Sequence, residues 1–314
     1  MARYQFSVDV KEYIEMLRPH LKKSSLEDKR RKLRLISKIF TGLYEEGVVS
    51  SNNPRKITKE DIIAYVGFRR SKGISESTIG KDICLLNQFF LWLDNHSVEQ
   101  FRMFGGIFKP HSYTGRKTPM SNDVIDRVIE LARSTDNWNI LRGCTQILLC
   151  CCCGLRTQEA RMMYVDGIVR MGGKMIVHVE HVKGEGSWGE PRNVLVMDGI
   201  EDIIDKYLFE RKRILEEYDR VSRSLFVPIH SQSEFYVSQS FTKLKAPVEE
   251  VLGEKIDLRS GRRAYGQRLL DKGNRLDDVS VAMGHASTKT TEGYYARVRE
   301  DDVFARLLAN EESR

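Results

Sequence analysis

Arginine, lysine, histidine and tyrosine side chains that could do chemistry recur in the second half of this 314-residue chain. Arg156 and Glu159 follow a long apolar run, and Arg259 and Arg262 stand three residues apart, which places them on one face of a helix. Arginines at the start of a helix oppose the helix dipole unless an anion is bound there. A phosphate group is therefore a natural partner for this pair.

Four further positions carry side chains that could react. Lys183 stands in a glycine-rich turn, His285 follows a glycine, and the adjacent Tyr294 and Tyr295 come shortly after that histidine. Taken singly, each has an ordinary structural explanation: a lysine in a turn is usually exposed and inert, the histidine caps a loop, and the two tyrosines are a pair on a helix. No single motif is decisive, so the weight falls on the ordered set.

The first third of the chain is predicted to be helical from its apolar spacing and its capping residues. Ser25 begins a capping-box pattern that predicts a helix over residues 29–44. Thr58 and Ser75 predict the starts of two more helices, and an amphipathic helix is expected around residues 10–21. These elements make a small all-helical module.

The second part combines helices with a few short strands. Residues 144–153 are apolar on all sides, which predicts a buried helix. The apolar pattern then alternates, predicting a hairpin of residues 168–171 and 174–179 and a third strand over 193–197. Helices resume at residue 200. The predicted fold class is mainly α with a small antiparallel β-sheet.

The charge of the chain is unevenly distributed. The net charge is +7, with a net +9 in residues 1–120 and a net −2 in residues 121–314. Such asymmetry points to an anionic partner at the first part, and a merely solvated basic surface explains it equally well. Apolar residues make up 41% of the chain and charged residues 30%, a balance that excludes wholesale disorder.

Several classes of protein are excluded by what the sequence lacks. No apolar run reaches the roughly 18 residues of a membrane span, and the first residues do not form a secretory signal. Four of the six cysteines are contiguous at Cys150–Cys153, which favours a reduced, cytoplasmic setting. Contiguous side chains diverge around a helix, so they do not form a zinc site, and the glycines of residues 184–189 lack the Gly-Lys-Ser/Thr of a P-loop. Neither a metal nor a cofactor is expected.

The ordered set as a whole resembles the tyrosine recombinase (phage integrase) family. It runs through Gly-Leu-Arg-x-x-Glu at residues 154–159, the turn lysine, Arg-x-x-Arg at 259–262, Gly-His at 284–285 and Thr-Thr-x-x-Tyr at 290–294. The resemblance covers nearly the whole chain, and residues 290–298 are similar to integrases of archaeal plasmids and viruses. It implies an all-helical core-binding domain and an α+β catalytic domain.

The resemblance implies a transesterification of DNA without a metal or cofactor. Tyr294 would attack the scissile phosphate, giving a 3′-phosphotyrosine and a free 5′-hydroxyl. Arg156 and Arg262 would clamp the non-bridging oxygens, and Lys183 would protonate the leaving 5′-oxygen. His285 would hydrogen-bond the phosphate. Glu159 would have a supporting role, orienting the region that carries the first arginine.

Two departures bear on this assignment. Arg259 stands where the family usually has histidine; it can donate hydrogen bonds to a phosphate but cannot act as a general base, so any such role falls to His285 or to water, or is unnecessary. The tyrosine itself is ambiguous, because neighbours on a helix point about 100° apart and both cannot serve. The Thr-Thr-x-x-Tyr spacing and the interval from His285 favour Tyr294 over Tyr295.

The resemblance also predicts domains and partners. The expected partner is double-stranded DNA with a specific recombination site, which the two domains enclose as a clamp. The protein is expected to act as a homo-oligomer, a tetramer on paired sites. The expected location is the cytoplasm, at the nucleoid. The expected function is integration or excision of a mobile element; alternatives are an Xer-like chromosome or plasmid multimer resolvase, a non-catalytic DNA-binding architectural protein and a type IB topoisomerase. The predicted parts are an N-terminal helical extension (1–23), the core-binding domain (24–104), a linker (105–119), the catalytic domain (120–298) and a C-terminal helix or tail that docks on a neighbouring protomer (299–314).

Overall fold

The chain divides into two compact units, Met1–Thr114 and Gly115–Arg314. The structure, a computed structural model, describes residues 5–103, 118–184, 189–285, 287–288 and 291. Almost all of the predicted linker, and the whole predicted tail, lie outside the described residues. Within the described ranges no helix combines the length and the apolar character needed to cross a membrane.

The first unit is a bundle of helices around an aromatic core. Phe40 stacks on Tyr65 with the ring centroids 5.1 Å apart, and Phe89 packs against Phe6 and Tyr13 from the first helix. That helix, which the sequence assigns to an extension, is therefore part of the same core. The helices are α1 (Gln5–Leu17), α2 (Lys23–Glu45), α3 (Lys59–Ser71), α4 (Glu76–Trp92) and α5 (Ser97–Met103).

Two of the predicted helix starts in this unit are confirmed and one is wrong. Thr58 forms a reciprocal capping box with Asp61 at the start of α3, and Ser75 accepts a hydrogen bond from the amide of Thr78 at the start of α4. Ser25 does not cap α2, which begins at Lys23. The reason is that the Ser25 amide already donates to the Lys22 carbonyl oxygen at 2.9 Å, so the first turn closes before the predicted cap.

The second unit has a central buried helix surrounded by helices and one small sheet. The helices are α6 (Asn122–Ser134), α7 (Trp138–Cys151), α8 (Thr157–Arg161), α9 (Glu201–Glu217), α10 (Ser238–Thr242), α11 (Ala246–Leu252), α12 (Leu258–Asp271) and α13 (Leu276–Met283). The strands are β1 (Ile168–Met171), β2 (Lys174–Val179) and β3 (Arg192–Leu195), paired antiparallel in that order. The prediction of a mainly helical fold with a small antiparallel sheet is confirmed, although β3 begins and ends earlier than expected.

Helix α7 is buried as predicted and fixes the position of the helices around it. The four contiguous cysteines at and after its end have no solvent exposure, and burial raises the pKa of Cys150 to about 12. They therefore act as small apolar side chains. Helix α12 packs along α7, and an added Cβ at Gly261 would lie 3.4 Å from the Cβ of Cys151. This close approach brings the next residue, Arg262, beside the loop that follows α7.

Candidate active site

The loop after α7 places the first arginine of the site. Gly154 adopts φ = +61°, and a Cβ there would lie 2.3 Å from the ring of Tyr265, so glycine satisfies both the backbone and the packing. Arg156 follows at the start of α8. Its amide donates to Oε2 of Glu159 at 2.8 Å, and its Nη1 donates to Oε1 at 2.6 Å. Glu159 thus holds both the main chain and the side chain of Arg156.

Arg262 enters the same cluster from α12. Its Nη1 donates to the Gly154 carbonyl oxygen at 2.5 Å and lies 3.5 Å from Oε2 of Glu159. Its Nη2 donates to the Met283 carbonyl oxygen and lies 3.2 Å from Nε2 of His285. This one guanidinium therefore joins the loop after α7, the end of α13 and the histidine.

A third arginine, Arg192, belongs to the cluster and was missed by the sequence analysis. From the first position of β3 it makes a two-pronged contact with Glu159, with Nη2–Oε2 at 2.8 Å and Nη1–Oε1 at 3.2 Å. One signal could have found it: Arg192 is two residues before Val194, so it shares the buried face of the strand. A cation on the buried face of a short strand needs a partner.

These three guanidiniums surround a single buried carboxylate. The side chain of Glu159 is 1% exposed, against 22%, 10% and 8% for Arg156, Arg192 and Arg262. Burial alone would raise the pKa of Glu159, but the hydrogen bond and charge of Arg192, with the charges of the other two arginines, outweigh it and lower the pKa to about 2. The carboxylate stays ionised at neutral pH, and the four side chains carry a net charge of +2.

His285 completes the cluster as a neutral side chain. Burial lowers its pKa, and the charges of Arg262, Arg156 and Arg192 lower it further, to about 3. Its Nδ1 lies 2.8 Å from Oγ1 of Thr291. Because a guanidinium can only donate, Nε2 accepts from Arg262 and Nδ1 carries the proton. The ring is therefore neutral and adds no charge to the cluster at neutral pH.

The lowered pKa values predict how stability depends on pH. His285 is harder to protonate in the folded chain than in the unfolded chain, so its contribution to stability is complete above about pH 6.5 and is lost as the pH falls toward 3. Glu159 adds a loss from about pH 4.5 toward 2. Urea unfolding at a series of pH values should show both windows, and His285→Gln should flatten only the upper one. An unchanged slope in that variant would contradict the assignment.

The other predicted site residues stand apart from this cluster or outside the described residues. Arg259 lies on the exposed first turn of α12, and no partner for its side chain is found among the residues that the structure describes. Lys183 is exposed in the loop between β2 and β3. Tyr294 and Tyr295 lie outside the described residues. The structure thus brings together Arg156, Glu159, Arg262 and His285, with Arg192 added.

Comparisons with known proteins agree on one family. The profile of the "Phage integrase family" matches residues 119–301, more than half of the chain. The tyrosine recombinase XerD of Oceanobacillus iheyensis is 25% identical over 255 residues, covering 79% of this chain and 82% of that relative.

Two solved structures share the fold. One is the XerH site-specific recombinase bound to palindromic difH substrate, with a TM-score of 0.67 and 17% identity over 95% of this chain and 83% of that one. The other is a lambda integrase (75–356) dimer bound to a COC′ core site, with a TM-score of 0.62 and 16% identity over 94% of this chain and 96% of that one. The matched profile contains every residue of the cluster, and the chain belongs to the phage integrase family, the tyrosine recombinases.

Proposed function

We propose that this protein is a site-specific DNA recombinase that cuts and rejoins DNA strands through a 3′-phosphotyrosyl intermediate. The observation that supports this most directly is the convergence of three arginines on one buried carboxylate, with a net charge of +2 and a neutral histidine beside Arg262. A phosphodiester carries one negative charge, and the five-coordinate transition state of its transesterification carries two. The cluster therefore complements the transition state better than the ground state.

The reaction assigns a step to each residue of the site. The Oη of Tyr294 forms a bond to phosphorus while the bond from phosphorus to the 5′-oxygen breaks, which leaves a 3′-phosphotyrosine. Lys183 gives a proton to the leaving 5′-oxygen, and the tyrosine proton passes to water. Attack by the 5′-hydroxyl of a partner strand reverses the bond changes, so the phosphodiester energy is conserved and no nucleotide cofactor is consumed.

The remaining side chains bind the phosphate. Arg156 and Arg262 donate to the non-bridging oxygens, where negative charge develops. A pKa of about 3 makes His285 a weak base. We assign it a hydrogen bond to the phosphate, donated by Nε2–H once the Arg262 guanidinium turns from Nε2 to the phosphate and the ring proton moves from Nδ1 to Nε2. Arg259 is exposed and permanently charged, and we assign it a further contact with the phosphate.

The basic first part of the chain is proposed to grip the DNA backbone. Residues 1–120 carry the net charge of +9, which suits counterion release from phosphates and predicts binding that weakens steeply with salt. We propose that the core-binding domain predicted over residues 24–104 also includes α1, which shares its core, with residues 105–119 as the linker and 120–298 as the catalytic domain. The tail of residues 299–314 is proposed to dock on a neighbouring protomer in a tetramer on paired sites. The proposed setting is the cytoplasm, at the nucleoid.

The proposal is tested with a nicked suicide substrate. Direct repeats in the DNA flanking the gene supply candidate sites, and each is incubated with the protein and run on a denaturing gel. A covalent adduct specific to one site supports recombination, whereas tight duplex binding without an adduct supports an architectural DNA-binding protein. Relaxation of supercoiled DNA that lacks any site supports a topoisomerase. Recombination is then measured between two sites on separate DNA molecules and between two sites on one chromosome. The first arrangement tests integration and the second tests Xer-like resolution.

Arg259 offers a test of the phosphate contacts that does not disturb the fold. Because its side chain is exposed, Arg259→Ala should leave the melting temperature unchanged while cleavage falls on the order of 100-fold through loss of one donor to the phosphate. Arg213→Ala, an exposed arginine on α9, is the matched control and should cleave at the wild-type rate. Equal rates for the two variants would remove Arg259 from the site.

A further inference from the structure

Arg192 stands where three parts of the site meet, and what it does there depends on the proposed function. It is the first residue of β3, and it pairs with Val179, the last residue of β2. The loop that carries Lys183 leaves the sheet at this pair and returns to it. The side chain of Arg192 therefore acts at the base of that loop.

The Arg192 side chain connects the base of the loop to α8 and α13. Its guanidinium holds Glu159 with two contacts, as described above, and its Nε donates to the Ala282 carbonyl oxygen at 3.3 Å. An added Cβ at Gly284 would lie 2.9 Å from the same guanidinium. Arg192 is thus packed against the residue that precedes His285.

Arg156 and Arg262 each have hydrogen bonds that do not involve Arg192. Glu159 accepts hydrogen bonds from the main chain and the side chain of Arg156, and Arg262 donates to the carbonyl oxygens of Gly154 and Met283. Loss of the Arg192 side chain would leave this clamp paired. The base of the loop would lose the ion pair and the hydrogen bond that its first strand residue makes to α8 and α13.

The two arms of the same loop also approach each other closely at Gly184 and Gly189, which we call the neck of the loop. The Gly189 amide donates to the Gly184 carbonyl oxygen at 2.9 Å. A Cβ at Gly189 would lie 2.2 Å from the Lys183 carbonyl oxygen, so glycine is required for the two arms to approach there. The main chain of Lys183 is therefore fixed between the neck and the base.

We propose that Arg192 is a positioning residue that fixes the Lys183 loop relative to the cluster of Glu159, Arg156, Arg262 and His285. Its task is to hold the proton donor at the distance the leaving 5′-oxygen requires. A general acid acts only within hydrogen-bond reach of its acceptor, and a displacement of about 1 Å can cost on the order of 100-fold in rate. The effect of Arg192 should therefore appear in the protonation of the leaving group.

The test compares two scissile phosphates in otherwise identical suicide substrates. One has the natural 5′-oxygen and the other a 5′-bridging sulfur, which leaves as a thiolate and needs no proton because thiols are far more acidic than alcohols. Arg192→Gln should cleave the oxygen substrate about 100-fold more slowly than wild type and should recover to within about tenfold on the sulfur substrate. Lys183→Ala is the reference variant and should show the same recovery.

Further variants separate positioning from charge and from folding. Arg192→Lys keeps the positive charge but lacks the planar guanidinium that contacts both Glu159 and Ala282. It should therefore still cleave the oxygen substrate slowly. Gly189→Ala displaces the neck without touching the cluster and should also recover with sulfur. Arg170→Gln, which breaks an exposed ion pair in the same sheet, should cleave both substrates like wild type.

Three results would overturn the inference: no defect in Arg192→Gln, a defect that sulfur does not relieve, or full activity of Arg192→Lys. A wild-type protein that cleaves neither substrate would instead overturn the proposed function, and this inference with it. Cleavage by wild type together with an unrelieved defect in Arg192→Gln leaves the proposed function intact. The two failures are therefore distinguishable.

Discussion

Replacing Glu159 by glutamine should be among the most damaging single changes in the chain, with an expected loss of about 3–5 kcal/mol in the free energy of unfolding. The side chain is 1% exposed and is the shared partner of three guanidiniums. Glutamine is nearly isosteric and retains an acceptor oxygen, but it removes the negative charge that keeps these cations together. The loss is therefore electrostatic, since no cavity is created.

Urea unfolding followed by circular dichroism measures this effect, with Asp166→Asn as the matched control. Asp166 pairs with Arg223 at 2.5 Å, but both side chains are more than half exposed, so its loss should cost no more than about 1 kcal/mol. Cleavage should fall with Glu159→Gln even in the folded fraction, because glutamine has one acceptor oxygen and so cannot keep both the main-chain and the side-chain hydrogen bond of Arg156. A loss in Glu159→Gln as small as the control would show that the arginines do not need the carboxylate.

Tyr294→Phe should abolish the covalent adduct, with a fall of at least about 10⁴-fold in strand cleavage. The substitution removes only the phenolic oxygen that would attack phosphorus, so DNA binding and thermal stability should stay at the wild-type level. Adduct formation on the nicked substrate and a gel-shift titration of the same DNA measure the two properties separately. The reason for so large an effect is that phenylalanine offers no nucleophile at all.

Tyr295→Phe is the matched control for that prediction. It makes the same chemical change one residue away along the chain. It should keep the adduct. An adduct that survives Tyr294→Phe and disappears in Tyr295→Phe would exchange the two assignments.

Local features of the fold were predictable because neighbours along the chain determine them. Thr58 and Ser75 cap the helices that follow them, as their side chains and the apolar periods predict. The hairpin of residues 168–179 follows from alternation around two glycines. The wrong cap at Ser25 has a local cause as well, since the Ser25 amide already donates to the Lys22 carbonyl oxygen and the helix begins at Lys23.

The composition of the site was only partly predictable because its members are distant in sequence. The motif order pointed to Arg156, Arg262 and His285, and these do converge. Nothing in their spacing reveals that Arg262 is buried while Arg259 is exposed, because that difference depends on how α12 packs on α7. Arg192 was missed for the same reason: its partners on α8 and α13 are 33 and 90 positions away along the chain.

The most direct test of the account is the identity of the atom that becomes joined to DNA. The trapped adduct is digested with protease and nuclease, and the peptide that carries a nucleotide is sequenced by mass spectrometry. We expect a 3′-phosphate ester on Tyr294 and a free 5′-hydroxyl on the released strand. A nucleotide on any other residue, or a 5′-phosphate linkage, would contradict it.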